Sequence, residues 1–97
     1  MRVYLAGPMR GLPNYNFPAF HEGARLLRSW GIEVLNPAER DENAGIDTEL
    51  PLDEQDFDLA AAFEWDFRAI MDSDAIVVLA GWENSEGVAA ELVVARL

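Results

Sequence analysis

The sequence predicts an α/β fold: one domain over 1–97, with a small doubly wound parallel sheet in strand order 2-1-3. The architecture is three-layered and flavodoxin- or Rossmann-like. Three observations predict it. Three short apolar runs (3–6, 32–35 and 75–80) alternate with stretches of helical period. Each run ends at a breaker or turn: Gly7-Pro8, Asn36-Pro37 and Gly81. Alternation of this kind implies right-handed crossovers and helices on both faces of a parallel sheet.

Val3-Tyr4-Leu5-Ala6 reads as a buried parallel strand. Gly7 to Asn16 holds two glycines and two prolines and reads as a loop. Asn16 is placed to cap a helix, with Pro18 in its first turn. Phe17, Phe20, Ala24 and Leu27 recur at spacings of three and four, one helix face, and Gly31 ends that helix. Ile32 to Leu35 is the second strand. Residues 38–52 are polar and acidic and are broken by Gly45 and Pro51, so they read as a long loop of the kind that serves as a lid. From about Leu52 a second helix is expected, with Leu59, Phe63, Phe67 and Ile70 as its apolar stripe. Asp74 to Ala80 is the third strand and Ser85 to Leu97 the third helix. In the order 2-1-3 the chain reverses between strands 1 and 3, so the loops after Ala6 and Ala80 face each other. Ligands of such sheets bind there, outside the carboxyl ends of the strands.

Composition narrows the function. The net charge of −11 opposes binding to a nucleic-acid polymer. There are no cysteines, which excludes disulfides and thiolate metal sites. No apolar run is long enough to span a membrane, and Met1 to Leu5 lacks the core of a signal peptide. A cytoplasmic protein without a cofactor is expected. All seven basic residues are arginines, which suit bidentate phosphate contacts, so Arg2, Arg10 and Arg68 are of interest. Half of the 18 acidic residues lie between Glu39 and Asp58. Three strands form a small sheet, and a homodimer or higher homo-oligomer is expected to cover what one chain leaves exposed.

Gly81 to Glu91 is the richest stretch. It carries a strand end, a turn and a helix N-terminus with free N–H groups for an anion. Glu91 has no cation at helical spacing, so it borders a polar cavity or faces water. Asp66 interrupts the stripe of its helix and is either solvated, paired with Arg68 or Arg10, or turned into a cleft. Two unpaired carboxylates in one cleft would suit cleavage of a glycosidic bond. Tyr4 is a core tyrosine or part of that site. Gly7, Met9, Arg10 and Gly11 belong to a loop able to cradle a phosphate, although Pro8 has no N–H. Ser85 is a helix cap or a phosphate donor, and both roles are compatible. Trp82 sits in the turn and could stack on a base. His21 is the only histidine, so a histidine metal site is not expected.

Four segments together resemble the nucleoside 2-deoxyribosyltransferase superfamily, in particular a small branch found in bacteriophages and prophages. They are Tyr4 to Met9, Asn16 to Phe20, Val34 to Pro37, and Gly-Trp-x-x-Ser-x-Gly-x-x-x-Glu from Gly81 to Glu91. The chain is also similar to the 2′-deoxynucleoside 5′-phosphate N-hydrolases. Their Tyr-x-x-Gly-x-x-Arg-Gly turn is matched by Tyr4, Gly7, Arg10 and Gly11. Their Ser-x-Gly-x-x-x-Glu motif is matched by Ser85, Gly87 and Glu91. Their aspartate eight residues before the third strand's opening Asp is matched by Asp66 before Asp74.

The resemblance implies a small-molecule nucleotide or nucleoside partner. It implies Glu91 as the nucleophile at C1′, Tyr4 orienting it, and Asp66 at the leaving base. Arg10, Gly11 and Ser85 would hold the 5′-phosphate. Pro8 departs from the serine of the hydrolase branch. The chain stops at Leu97 where relatives continue, which shifts the expectation from base transfer toward hydrolysis or simple binding.

Overall fold

The structure, a computed structural model, describes residues 1–81. The expected third helix, and with it Trp82, Ser85, Gly87 and Glu91, lies outside the described residues. The sheet is parallel, with β1 (Arg2–Ala6) between β2 (Glu33–Leu35) and β3 (Ala75–Val78). Val3 pairs with Val34 on one side and Ala75 on the other. The predicted 2-1-3 order is therefore the observed one.

β1 is central because its only charge is at its first residue, Arg2, and the rest of it needs no water. Val3, Tyr4, Leu5 and Ala6 are all buried. Period-2 geometry sends them alternately to opposite faces. Val3 and Leu5 join Phe17, Phe20 and Ala24 of α1 (Phe17–Ser29), with Val34 and Ala38. Tyr4 and Ala6 join Ala69 and Ile70 of α3 (Leu59–Met71). Helices thus cover both faces, as a doubly wound sheet requires. Fully burying a side chain such as Phe20 contributes about 1.5–3 kcal/mol.

α1 buries the expected face and ends at Gly31, at φ +82°. The Gly31 N–H reaches Arg28 O at 3.0 Å and the Ile32 N–H reaches Leu27 O at 3.2 Å, a Schellman closure. Its start differs from expectation. Asn16 precedes the helix but makes no side-chain cap. Its Nδ2 instead donates to Pro8 O at 2.9 Å. Asn14, Tyr15 and Asn16 all lie in the left-handed region, at φ 53°, 53° and 60°. Asparagine tolerates this region, but for Tyr15 it costs about 1–2 kcal/mol, which its surroundings have to offset.

Residues 38–52 are not one long loop. Pro37–Asn43 form a short helix, α2. Asn36 caps it, its Oδ1 accepting from the Ala38 N–H at 3.0 Å, and Pro37 takes the first helical position. The sequence hid this helix because its buried residues are only the adjacent Pro37 and Ala38, so no apolar period appears. Charge docks it on α1. Arg28 makes a two-pronged pair with Glu39, at 2.9 and 2.6 Å, and also donates to Val34 O at 3.0 Å. His21 pairs with Glu42. The Arg28 guanidinium holds the Glu39 carboxyl below the usual glutamate range.

The second predicted helix also needs correction. It begins at Leu59, capped by Asp58 Oδ1 accepting from the Ala61 N–H at 2.9 Å; residues 52–54 are a single 3-10 turn. Of the expected stripe only Ile70 is buried, while Leu59 and Phe63 are exposed, at 42% and 44%. The buried residues are Ala62, Ala69 and Ile70. The small side chains let the helix approach the bulky Tyr4, with Trp65 and Phe67 packed partly buried against the same cluster. No helix among the described residues is long and apolar enough to cross a membrane.

Candidate functional site

The carboxyl ends of β1 and β3 meet as the 2-1-3 order demands. Beyond the regular pairing, the Leu79 N–H donates to Ala6 O at 2.8 Å. Gly7 is needed there, since a Cβ on it would lie 2.9 Å from Leu79 Cβ. A Cβ on Gly81 would lie 3.4 Å from Pro8 Cγ. The first residue of the expected C-terminal motif therefore sits against the candidate phosphate loop.

That loop turns sharply. The Leu12 N–H closes on Met9 O at 3.3 Å, with Gly11 at φ +80° in the third position, where a type II turn requires a positive φ. Met9 is half-buried against the α1-side core, and Arg10 and Gly11 are exposed. Among the described residues Arg10 is the one arginine that forms no ion pair; Arg2, Arg25, Arg28, Arg40 and Arg68 all have carboxylate partners. Arg2 pairs with Glu33 at 2.7 Å at the amino ends of the strands, and Arg68 pairs with Glu64 at 2.7 Å on the surface of α3. Neither is at the carboxyl end of the sheet. Of the three, Arg10 alone lies beyond the carboxyl end of β1, and it has no carboxylate partner among the described residues.

Tyr4 and Asp66 come to the same face. Tyr4 is fully buried within the α3-side cluster. Asp66 lies four residues after buried Ala62 and three and four before buried Ala69 and Ile70, so it shares the inner stripe of α3. It is half-buried. Neither Tyr4 nor Asp66 is without an interaction partner.

Beside this pair lies an open cavity of about 310 Å³ that sequence reasoning missed. Leu35 and Asn36 from the end of β2, Glu39, Arg40 and Asn43 from α2, and Trp65 from α3 line it. Trp65 immediately precedes Asp66, and Leu35 is the register partner of Tyr4. Asn36 Nδ2 is buried without a hydrogen-bond partner among the described residues. Arg40 is held by Asp41 at 3.1 Å. Burial pushes the Asp41 carboxyl up, and Arg40 pulls it back only in part. The available signal for this cavity was Asn36-Pro37, a cap followed by proline at the first helical position.

Fold and site together define a class: a small doubly wound α/β protein with polar groups gathered at the carboxyl end of a parallel sheet. Within that class, the chain belongs to the DUF4406 family, a domain of unknown function whose family model matches residues 1–97. No curated protein and no solved structure matches it.

Proposed function

We propose that the protein is an N-glycosidase that hydrolyses the base–sugar bond of a 2′-deoxynucleoside 5′-monophosphate, in the manner of the nucleoside 2-deoxyribosyltransferase superfamily. One observation supports this most. A buried tyrosine and a half-buried aspartate share the α3 face of the sheet, beside a cavity walled by Trp65. In this reading Glu91 attacks C1′ and forms a glycosyl-enzyme intermediate. Tyr4 orients Glu91, and Asp66 donates the proton that the departing base requires. Water then frees the sugar. The Trp65 cavity takes the base, and the Gly7–Gly11 loop with Arg10 takes the phosphate, together with Ser85 and Gly87. Trp82 closes over the sugar and base.

A second reading is a nucleotide-binding protein without turnover. Pro8 favours it, because this residue gives the loop no N–H and its carbonyl is already occupied by Asn16 Nδ2. Incubation with deoxynucleosides, deoxynucleoside monophosphates and ribonucleotides, followed by chromatography for free base, separates the two. Base released from a deoxynucleoside monophosphate and lost in Glu91→Ala supports the glycosidase. A thermal shift with one nucleotide and no base released across the panel supports the binding protein.

Assembly belongs to the same proposal. Exposed Leu59 and Phe63 lie one turn apart on α3, with Phe63 stacked on Phe67 at 6.0 Å. A second copy seated there would cover them. Light scattering should then give a smaller mass for Phe63→Glu than for the wild type.

A further inference from the structure

The left-handed turn at Asn14–Asn16 is the most unusual backbone in the described residues, and two of its side chains reach in different directions. Asn16 Nδ2 donates to Pro8 O at 2.9 Å, inside the Gly7–Gly11 loop. Tyr15 donates its hydroxyl to Leu50 O, in the acidic segment that follows α2. That segment is already closed on itself by Gln55. Its Oε1 accepts from the Asp47 N–H at 2.8 Å, and its Nε2 donates to Asp47 O at 2.9 Å and to Leu50 O at 3.0 Å. The Leu50 carbonyl is therefore the point at which a pre-formed loop is gripped from outside.

We infer that Tyr15 is a positioning residue: the Asn14–Asn16 turn clamps the Gly7–Gly11 loop and the Asp47–Gln55 segment into one unit, so that order in one maintains order in the other. This rests on the reading of the Gly7–Gly11 loop as the anion site. The physical reason is preorganisation. A left-handed stretch of asparagine and tyrosine relaxes unless both ends are held. A loop fixed before its ligand arrives loses less entropy on binding. By linkage, releasing the acidic segment must then weaken the anion site, although no residue of that segment belongs to it.

Hydrogen exchange on the ligand-free protein tests the clamp without reference to catalysis. Gln55→Ala is the informative variant, because the Gln55 bonds all lie within residues 47–55. It should accelerate exchange within 47–55 and also across 8–16. Acceleration confined to 47–55 would overturn the inference. Tyr15→Phe keeps the ring near Phe17, at 6.2 Å, and removes only the hydroxyl. It should accelerate both stretches while thermal unfolding stays cooperative, and it tests the clamp even if Gln55→Ala does not fold. Calorimetric titration with inorganic phosphate completes the test. Affinity should fall at least about fivefold in either variant, within the usual range of coupling between sites. Unchanged affinity alongside accelerated exchange would sever the clamp from binding. An absence of glycosidase activity would leave the exchange result standing.

Discussion

The two faces of the sheet are built differently although one strand, β1, supplies both. The α1 face takes Val3 and Leu5 and packs them on phenylalanines, with α2 fastened by charge from outside. The α3 face takes Tyr4 and Ala6 and packs them on alanine and isoleucine, with Asp66 on the same helix stripe. One face is apolar throughout and closes the fold. The other holds the Tyr4 hydroxyl in its core and carries the half-buried Asp66 carboxylate on the helix that covers it. Polar groups are costly to bury without partners, so a fold keeps them where they act or where they bond. Under the proposed function, the α1 face serves mainly stability and the α3 face the chemistry.

Substitutions can break this contrast at several scales. Phe20→Ala should cause the largest loss of stability, about 3–5 kcal/mol in urea titration, since it empties the centre of the α1 face. A loss below about 1 kcal/mol would remove that face from its structural role. Ala69→Leu should cost about 1–3 kcal/mol by overpacking against Tyr4. It should also reduce base release by more than its unfolded fraction explains, because it displaces the stripe that carries Asp66. A loss of activity matched by unfolding alone would blunt the contrast.

Glu39→Gln should have the smallest effect, below about 1 kcal/mol, because the Arg28–Glu39 pair is substantially exposed. Its sign with pH is fixed. The folded Glu39 carboxyl titrates below its ordinary value. The pair's stabilisation is therefore complete above the ordinary glutamate range and is lost as pH falls through the lower folded value. Wild-type stability should drop across that acid window, and Glu39→Gln should show a shallower drop. Equal slopes in acid titrations followed by circular dichroism would contradict the pairing.

The sheet was legible because its strands are short apolar runs with breakers after them, and because 2-1-3 is the simplest winding of three parallel strands. α1 was legible because its core residues keep one period. α2 was not, since its only buried residues are the adjacent Pro37 and Ala38, which leave no apolar period. The orientation of α3 was misread for a related reason. Leu59, Phe63, Phe67 and Ile70 have the stronger apolar period, but only Ile70 is buried and Phe67 partly so, while Ala62 and Ala69 take the inner positions that Leu59 and Phe63 were expected to fill. Residue type and spacing singled out Tyr4, Gly7, Arg10 and Asp66; of these the structure puts Gly7 and Arg10 after the carboxyl end of β1 and Tyr4 in the cluster under α3, the helix that carries Asp66. The Trp65 cavity and the Tyr15 clamp were not, because both arise from residues that are distant in sequence.

The most direct test of the α3 face as the chemical one is base release by Asp66→Asn beside the wild type, measured by chromatography at equal folded concentration. Asparagine keeps the shape of the side chain and removes its proton-transfer capacity. Release from a deoxynucleoside monophosphate should fall by about 10²–10⁴-fold with stability little changed. A variant that folds and releases base at the wild-type rate would contradict the assignment of chemistry to this face.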